Sequence, residues 1–404
     1  MVRVRREGIL LEPTDNEFEN QAVLNPTIIQ EGDTLHLLYR AVKEGNYSSI
    51  GYCKLKGPLN IIERKETPII YPEHEYEKHG VEDPRIVLLD GVYYLFYTAY
   101  DGKNALIAYA TSKDLINWEK HGTISPNITY HDARSYFKES KLKDKYFTYA
   151  SYFKDEVAPD VLLWEKDAFI CPRKYNNKFV LFHRIYPDIQ IICFEDFSEL
   201  TNDFWRNYLR NLADYVVLEP EFGFESRNIG AGAPLIETPR GWLMIYHSVQ
   251  DSNRGKVYHA SAALLDKKNP LKVIGRLHEP LFSPEEDYEI SGDTNDVVFP
   301  TGTAKFNGQL YIYYGAADKR IAVVSVNMNK LLHELLASEV EAGIGFLAGK
   351  VFTYAINGEK TLTQIKDRMN QEESAILMAI GWLARENKIL IRFDDGELVV
   401  RTID

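Results

Sequence analysis

Five stretches of the chain share one pattern of apolar and polar positions. They are NPTIIQEGDTLHLLYRAV from Asn25, EDPRIVLLDGVYYLFYTAY from Glu82, ICPRKYNNKFVLFHRI from Ile170, GAPLIETPRGWLMIYHSV from Gly232 and VFPTGTAKFNGQLYIYYGAA from Val298. Each has a proline, a short apolar run, a turn pair, and then a run in which aromatic residues alternate with others. A period of two marks a strand, and proline suits a strand's first residue, where no ladder donor is lost. The prolines are Pro26, Pro84, Pro172, Pro234 and Pro300. The turn pairs are Gly32-Asp33, Asp90-Gly91, Asn176-Asn177, Arg240-Gly241 and Asn307-Gly308, and most tolerate the positive φ of a tight hairpin. Weaker strands follow each hairpin, in SIGYCKLK, ALIAYATSKDLINWEKHG, IQIICFE, HASAALLDKKN and IAVVSVNMNK. Four strands in each of five units predict a mainly β fold, a five-bladed β-propeller, over residues 1–344. A large β-sandwich with coincidental hairpins is the competing reading.

The period then changes. GFLAGKVFTYAI, TLTQIKDRM (with Thr361 as N-cap) and EESAILMAIGWLARENK read as helices, and ILIRFDDGELVVRTI as a hairpin turning at Asp395-Gly396. Three helices and a hairpin predict a small α+β winged-helix domain over residues 345–404. That segment carries 8 Lys/Arg against 9 Asp/Glu and so lacks the basic footprint of a DNA-binding module. A packing or oligomerisation role is favoured over nucleic-acid binding.

Composition narrows the class. The 404 residues are 45% hydrophobic and 26% charged, which excludes global disorder. The net charge of −12 argues against a protein that coats nucleic acid. No run of about 18 apolar residues is present, so no membrane-spanning helix is expected. The basic start MVRVRREGILLEP lacks the apolar stretch of a signal peptide. Cys53, Cys171 and Cys193 match no zinc pattern and fit a reducing, cytoplasmic compartment. The 26 Tyr, 19 Phe and 5 Trp suit β-structure and sugar-stacking surfaces, and self-association is compatible with them.

In a propeller the innermost strands meet around a channel, so polar residues at their starts converge although distant in sequence. Asn25, Asp83, Asp167, Asn228 and Asp296 occupy such places, as do Arg40, His183, Arg184, His247 and Asp318 at the ends of second strands. Charge at the same place in several repeats points to a functional pocket, whereas one such charge reads as a solvated loop residue.

The motifs GVEDPRIVLLDGVYYLFYTAY, NIGAGAPLIETPRGWLMIYHSV and DVVFPTGTAKFNGQLYIYYGAAD resemble glycoside hydrolase family 130, from about Asn25 to Leu336. That family contains β-mannoside phosphorylases and β-mannosidases on a five-bladed propeller. The tail resembles a small bacterial winged-helix family. The first resemblance implies that Asp83, in GVEDPR, is the catalytic acid, passing its proton through a sugar hydroxyl to the glycosidic oxygen as the bond breaks. It also implies sugar binding by Asn25, Arg40 and Asp318. Tyr97, Tyr100, Tyr246 and Tyr314 can add aromatic contact or pack in the strand core, and Tyr246 is taken as a substrate contact.

The family's phosphorylases hold phosphate with an Arg-Asn pair, an Arg, a Lys before IGAG and the His of IYH. Arg184 and His247 match. The Arg-Asn pair reads Lys166-Asp167, and the Lys reads Asn228. An added carboxylate repels an anion, and the same carboxylate can serve as the base that activates water. Asp167 and Glu225 are the candidate bases. An ion pair of Asp167 with Lys166, Arg173 or Arg184 is the competing reading. Lys166, Arg173, Lys174, Arg184 and Arg227 remain available to rebuild an anion site. The resulting expectation is an inverting enzyme that cleaves short β-linked mannosides, with hydrolysis placed ahead of phosphorolysis. No metal or organic cofactor is implied, inorganic phosphate being co-substrate in the phosphorylase alternative. A non-catalytic sugar-binding propeller with a regulatory winged helix is the reading from another class.

Overall fold

The computed structural model describes residues 2–253 and 255–403, without the side chains of residues 338–342. It divides into two compact units, Met1–His333 and Glu334–Asp404.

The first unit is mainly β. Five antiparallel sets follow in chain order, each of four strands except the fourth, which has five. The first runs Ala22–Glu31, Thr34–Lys43, Tyr47–Lys56 and Asn60–Arg64. The second runs Gly80–Leu89, Val92–Tyr100, Ala105–Ser112 and Glu119–Thr123. The third has Lys166–Ile170, Phe179–Arg184, Ile189–Phe194 and Val216–Leu218. In the fourth, Asn228–Ala231 and Ile236–Glu237 both pair with Trp242–Ser252, followed by Gly255–Leu265 and Val273–Arg276. The fifth, Val298–Phe306, Gln309–Ala316 and Arg320–Asn327, takes its fourth strand from the other end of the chain, Arg5–Leu11.

By hydrogen bonding, these sets form four sheets among the described residues, not five separate blades. A single parallel bridge, Ser48 to Gly80, joins the first two sets into one eight-stranded sheet. First strands of different sets touch. The Thr301 hydroxyl donates to the Pro26 carbonyl (2.6 Å), the Ile86 amide to the Thr27 hydroxyl (3.0 Å), and the Arg85 Nε to the Gly232 carbonyl (2.5 Å).

None of the five repeat prolines is the first residue of its strand: Pro26, Pro84 and Pro300 lie inside Ala22–Glu31, Gly80–Leu89 and Val298–Phe306, at register shifts where the ladder is interrupted. The first strands of the third and fourth sets begin at Lys166 and Asn228, upstream of Pro172 and Pro234. Pro234 sits in the break between Asn228–Ala231 and Ile236–Glu237, where a missing ladder donor is tolerated.

A second repeat runs under the first. Five fully buried glutamates, Glu19, Glu77, Glu165, Glu225 and Glu289, precede the five first strands. Each follows an aromatic residue: Phe18, Tyr76, Trp164, Phe224 and Tyr288. In four sets a second-strand tyrosine donates to the carboxylate: Tyr39 to Glu19 (2.6 Å), Tyr97 to Glu77 (2.9 Å), Tyr246 to Glu225 (2.8 Å) and Tyr314 to Glu289 (2.5 Å). A fourth-strand cation completes each: Arg64, Lys120, Arg276 and Arg6 respectively. In the third set His183 takes the tyrosine's place, 2.7 Å from Glu165, and the Tyr208 hydroxyl lies 2.8 Å from its other ring nitrogen. A buried carboxylate is tolerated when its lone pairs are filled and its charge is matched, as the four tyrosine-and-cation clusters do; Glu165 has only the His183 contact, and its oxygens lack a well-formed hydrogen bond among the described residues.

Three helices were not foreseen. Between the second and third sets lie α1 (Tyr130–Phe137) and α2 (Asp144–Glu156); between the last two strands of the third set lies α3 (Asn202–Arg210). Thr129 and Thr201 cap α1 and α3 by accepting from Asp132 N (3.1 Å) and Phe204 N (3.3 Å). Buried Tyr130, Ala133 and Phe137, and Tyr146, Ala150 and Phe153, recur at three- and four-residue intervals, the helical period. Trp205, Tyr208 and Leu209 of α3 are buried as well, so the 201–225 segment is a packed connection. A last short helix, α4 (Asp287–Ile290), delivers Glu289.

α5 (Met328–Ala355) starts directly after the last strand and not at Gly345, and runs from the end of the first unit into the second; the 344/345 division drawn from the sequence falls within it. α6 (Leu362–Met369) begins at the Thr361 cap, with Gln364 completing the capping box. α7 (Glu373–Arg385) and the hairpin Ile389–Asp394 with Glu397–Thr402 follow. Val351, Ala355, Ile365, Ile376, Ile380, Leu383 and Val400 form their shared core.

Candidate active site

The bulges at the starts of three first strands build the site. Register slips by one residue between Leu24 and Thr27, Glu82 and Arg85, and Lys166 and Phe169. Asn25, Asp83 and Asp167 sit in these slips with φ of 48°, 51° and 59°. Asn and Asp are the residues other than glycine that enter the left-handed region most readily. A bulge leaves one residue unpaired and re-aims its side chain. Here three such side chains turn into one cavity of about 310 Å³, which Arg40, Lys166, Arg184, Asn228, His247 and Asp318 also line.

Asp83 is at the centre of its polar floor. Asn25 Nδ2 donates to Asp83 Oδ1 at 2.7 Å, and Arg40 Nη1 is 3.5 Å from the same oxygen. Arg85 Nη1 donates to the Asp83 carbonyl at 3.0 Å and fixes the bulge from behind. Burial by itself would raise the Asp83 carboxyl, but Arg40, Lys166, Arg85 and the Asn25 amide outweigh it and hold it below the usual carboxylate range. Glu82 ties two cations together: Arg40 Nη2 lies 2.8 Å and Lys166 Nζ 3.6 Å from it. Burial disfavours the Lys166 ammonium, yet Glu82 and Asp83 outweigh that and raise it. Asp318 shows the opposite balance: burial raises its carboxyl against the pull of Thr294 and Arg40.

The other side of the cavity holds Asp167, Arg184 and His247. Asp167 Oδ2 is 3.1 Å from Arg184 Nη1, and Oδ1 is 3.6 Å from Arg85 Nη2. Arg184 Nη1 donates to His247 Nε2 at 3.0 Å, and Nη2 to the Tyr186 hydroxyl at 3.1 Å. Burial, then Arg184 and Arg85, push His247 well below the usual imidazole value, so it is neutral, with its proton on Nδ1. Gly230 is required here: a Cβ would collide with Asp167 Oδ2 and His247 Cε1. His247 Nδ1, Arg184 Nε and Asp167 Oδ2 are buried and have no hydrogen-bond partner among the described residues.

Asp167 therefore has the ion pair with Arg184 that the sequence offered as one reading, and a second with Arg85 that it did not offer. Two expected site residues lie outside the cavity. Glu225 is consumed by Arg276 (2.8 and 2.9 Å), the Tyr246 hydroxyl and two backbone amides, so no oxygen is left to activate water. Tyr246 is wholly buried, its hydroxyl held between Glu225 and Arg276 (3.2 Å). Both belong to the glutamate repeat, as do Tyr97, Tyr314 and His183. Asp296 and Tyr100 also do not line the cavity, and Arg173 and Lys174 pair with Glu237 and Asp90 at the surface.

Residues not singled out beforehand complete the lining. Lys256 comes from the strand after IYH, its ammonium lowered by burial and then by Arg227, which lines the cavity beside it. Tyr149, Tyr152, Phe153 and Val157 come from α2 and its end, joined by Trp164, Tyr186, Tyr258 and Phe299. The lining cations are Arg40, Lys166, Arg184, Arg227 and Lys256, against the carboxylates Asp83, Asp167 and Asp318. Glu82 and Asp251 pair with Arg40, Lys166 and Arg227 from outside the lining.

A buried carboxylate and a cluster of cations lining one polar cavity fit a carbohydrate-active enzyme of the glycosidase or glycoside phosphorylase class. The family model described as β-1,4-mannooligosaccharide phosphorylase, glycoside hydrolase 130, matches residues 5–336, and the chain belongs to that family. A winged helix-turn-helix family model matches residues 339–402. A 1,2-β-oligomannan phosphorylase of Thermoanaerobacter sp. is 34% identical over 82% of this chain and 99% of its own length. A β-1,2-mannobiose phosphorylase of the same organism is 35% identical over 82% of this chain and 98% of its own. The solved β-1,2-mannobiose phosphorylase of Listeria innocua has a TM-score of 0.61 at 24% identity, covering 83% of this chain and 99% of that one; at that identity the likeness shows the fold. Both of these sequence relatives are phosphorylases, so the placing of hydrolysis ahead of phosphorolysis finds no support in them.

Proposed function

We propose that the protein is an inverting β-mannoside phosphorylase acting on short β-1,2-linked manno-oligosaccharides, on a five-bladed propeller whose first strands surround the cavity. The single observation that carries the reaction is the set of five cations that lines one cavity with Asp83. Asn25, Arg40 and Asp318 hold the mannosyl unit whose bond is broken. Arg184, His247, Lys166 and Asn228 receive phosphate, with Arg227 and Lys256 making up for the lysine that Asn228 replaces. Asp167 is spoken for by Arg85 and Arg184, which argues against its acting as a base for water.

Phosphate oxygen attacks the anomeric carbon as the bond to the leaving oxygen breaks. Asp83 supplies the proton to that oxygen through a sugar hydroxyl, giving α-mannose 1-phosphate and a shortened sugar. Lys166, one of the cations that hold Asp83 low, is also a phosphate ligand in this reading, so phosphate binding offsets part of the charge that disfavours the protonated acid. Relatives that act on β-1,2-oligomannan and β-1,2-mannobiose support the substrate class.

Phosphorus NMR of the enzyme with β-1,2-mannobiose and inorganic phosphate tests this. α-Mannose 1-phosphate is expected, and Asp83→Asn is expected to lower its rate by about 10²–10⁴-fold. Free mannose as the sole product, or an undiminished Asp83→Asn rate, would overturn the assignment.

A further inference from the structure

The cavity has two chemically different walls. The floor is polar and comes from strand starts and ends, whereas one side is aromatic and comes from α2. Tyr149, Tyr152, Phe153 and Val157 recur at three- and four-residue intervals along α2 and its end, so they share one face. Most of this face is locked. Tyr149 stacks on Tyr186 (centroids 5.0 Å) and its hydroxyl donates to the Arg227 carbonyl at 2.9 Å. Phe153 packs on Trp164 (4.7 Å) and Tyr186 (5.5 Å). Trp164 in turn lies 5.5 Å below Lys166 Nζ, which connects the wall to the floor.

Tyr152 and Val157 are different. They line the cavity yet remain 47% and 39% exposed, and the Tyr152 hydroxyl has no hydrogen-bond partner among the described residues. A half-exposed ring at the mouth of a sugar site, backed edge-on by Phe153 (5.4 Å), offers a firm apolar face. The carbon–hydrogen face of a pyranose is its complement.

We infer that α2 is the platform for the sugar beyond the scissile bond, with Tyr152 as its stacking ring and Val157 extending the surface. This inference rests on the proposed phosphorylase reading. The mannosyl unit being transferred sits on the floor among Asn25, Arg40, Asp83 and Asp318. The next sugar must extend toward the mouth, and α2 is the wall that runs from Trp164, beside the floor, out to the exposed ring.

The test is steady-state phosphorolysis of β-1,2-mannobiose and mannotriose by Tyr152→Ala and Tyr152→Phe, with melting temperatures as a control for folding. Tyr152→Ala is expected to raise KM for both sugars by about three- to tenfold, leaving KM for phosphate unchanged. Tyr152→Phe should behave as wild type, because the hydroxyl has no partner to lose. A rise in KM for phosphate instead, unchanged sugar constants in Tyr152→Ala, or failure of Tyr152→Phe to restore them would overturn the inference. If wild type yields no mannose 1-phosphate, the phosphorylase reading fails separately. Calorimetric binding of mannobiose then decides for α2 without turnover: weaker binding by Tyr152→Ala supports it, and equal binding refutes it.

Discussion

Replacing Asp167 by Asn removes the carboxylate that stands where the family's phosphorylases carry an amide. The carboxylate lies 3.1 Å from Arg184 Nη1 and 3.6 Å from Arg85 Nη2, and it offsets positive charge that would otherwise face phosphate. Phosphate bound on the far side of Arg184 would sit roughly 6 Å from it; at an effective dielectric of about 20, one unit charge there is worth about 3 kcal/mol. Half of that, after the arginines and solvent readjust, is about 1.4 kcal/mol, or about tenfold in affinity. Asp167→Asn is therefore expected to lower KM for phosphate by at least about tenfold with kcat largely kept. It should also destabilise the fold by about 1–3 kcal/mol, because two buried guanidinium groups lose a charged partner. Initial rates over a phosphate series, with a urea melt for stability, read both. An unchanged or higher KM for phosphate together with loss of kcat would refute the reasoning and put Asp167 into the chemistry.

Other perturbations probe the scaffold. Glu225→Ala leaves Arg276 and the Tyr246 hydroxyl without their buried partner and is expected to cost about 3–5 kcal/mol in denaturant melts, with KM for sugar and phosphate unchanged in the folded fraction; a selective loss of kcat without loss of stability would contradict it. Gly230→Ala drives a methyl against Asp167 and His247 and should raise KM for phosphate while destabilising by about 1–3 kcal/mol; wild-type kinetics would count against the close approach. Asp188 accepts from the Tyr146 hydroxyl of α2 at 2.7 Å, yet burial pushes its carboxyl up to about 7. Its folded value exceeds its unfolded one, so the stability it contributes is complete below about pH 4 and is lost as pH rises to about 7. The melting temperature of Asp188→Asn should accordingly gain on wild type across that window and keep a constant lead above it; a lead that shrinks with rising pH would reverse the sign.

Much of the scaffold was legible because it repeats. Hairpin turns at Asp90-Gly91 and Asn307-Gly308 and the alternating aromatic strands carry their signals locally, as do the Thr361 cap and the Asp395-Gly396 turn. The bulges at Asn25 and Asp83 were not read from the sequence, which placed Pro26 and Pro84 at strand starts. Pro172 and Pro234 misled, because proline is tolerated at several places along an edge. The helices α1 and α2 were missed because their tyrosines and phenylalanines weigh toward strands; only their three- and four-residue spacing gives them away.

The site was legible where a residue type answers to its own bulge, as at Asn25, Asp83 and Asp167. It was misread at Glu225 and Tyr246, each taken singly. Set beside Phe18-Glu19, Tyr76-Glu77, Trp164-Glu165 and Tyr288-Glu289, the Phe224-Glu225 pair is one member of a structural repeat, and that comparison was available in the sequence. The reach of Lys256 and Tyr152 into the cavity depends on tertiary packing and has no local signature.

The most direct measurement is the initial rate of β-1,2-mannobiose cleavage as inorganic phosphate is raised from zero. The account predicts a rate that starts at the baseline, rises to saturation and matches the mannose 1-phosphate formed. A rate already maximal without phosphate, with free mannose as its product, would contradict it.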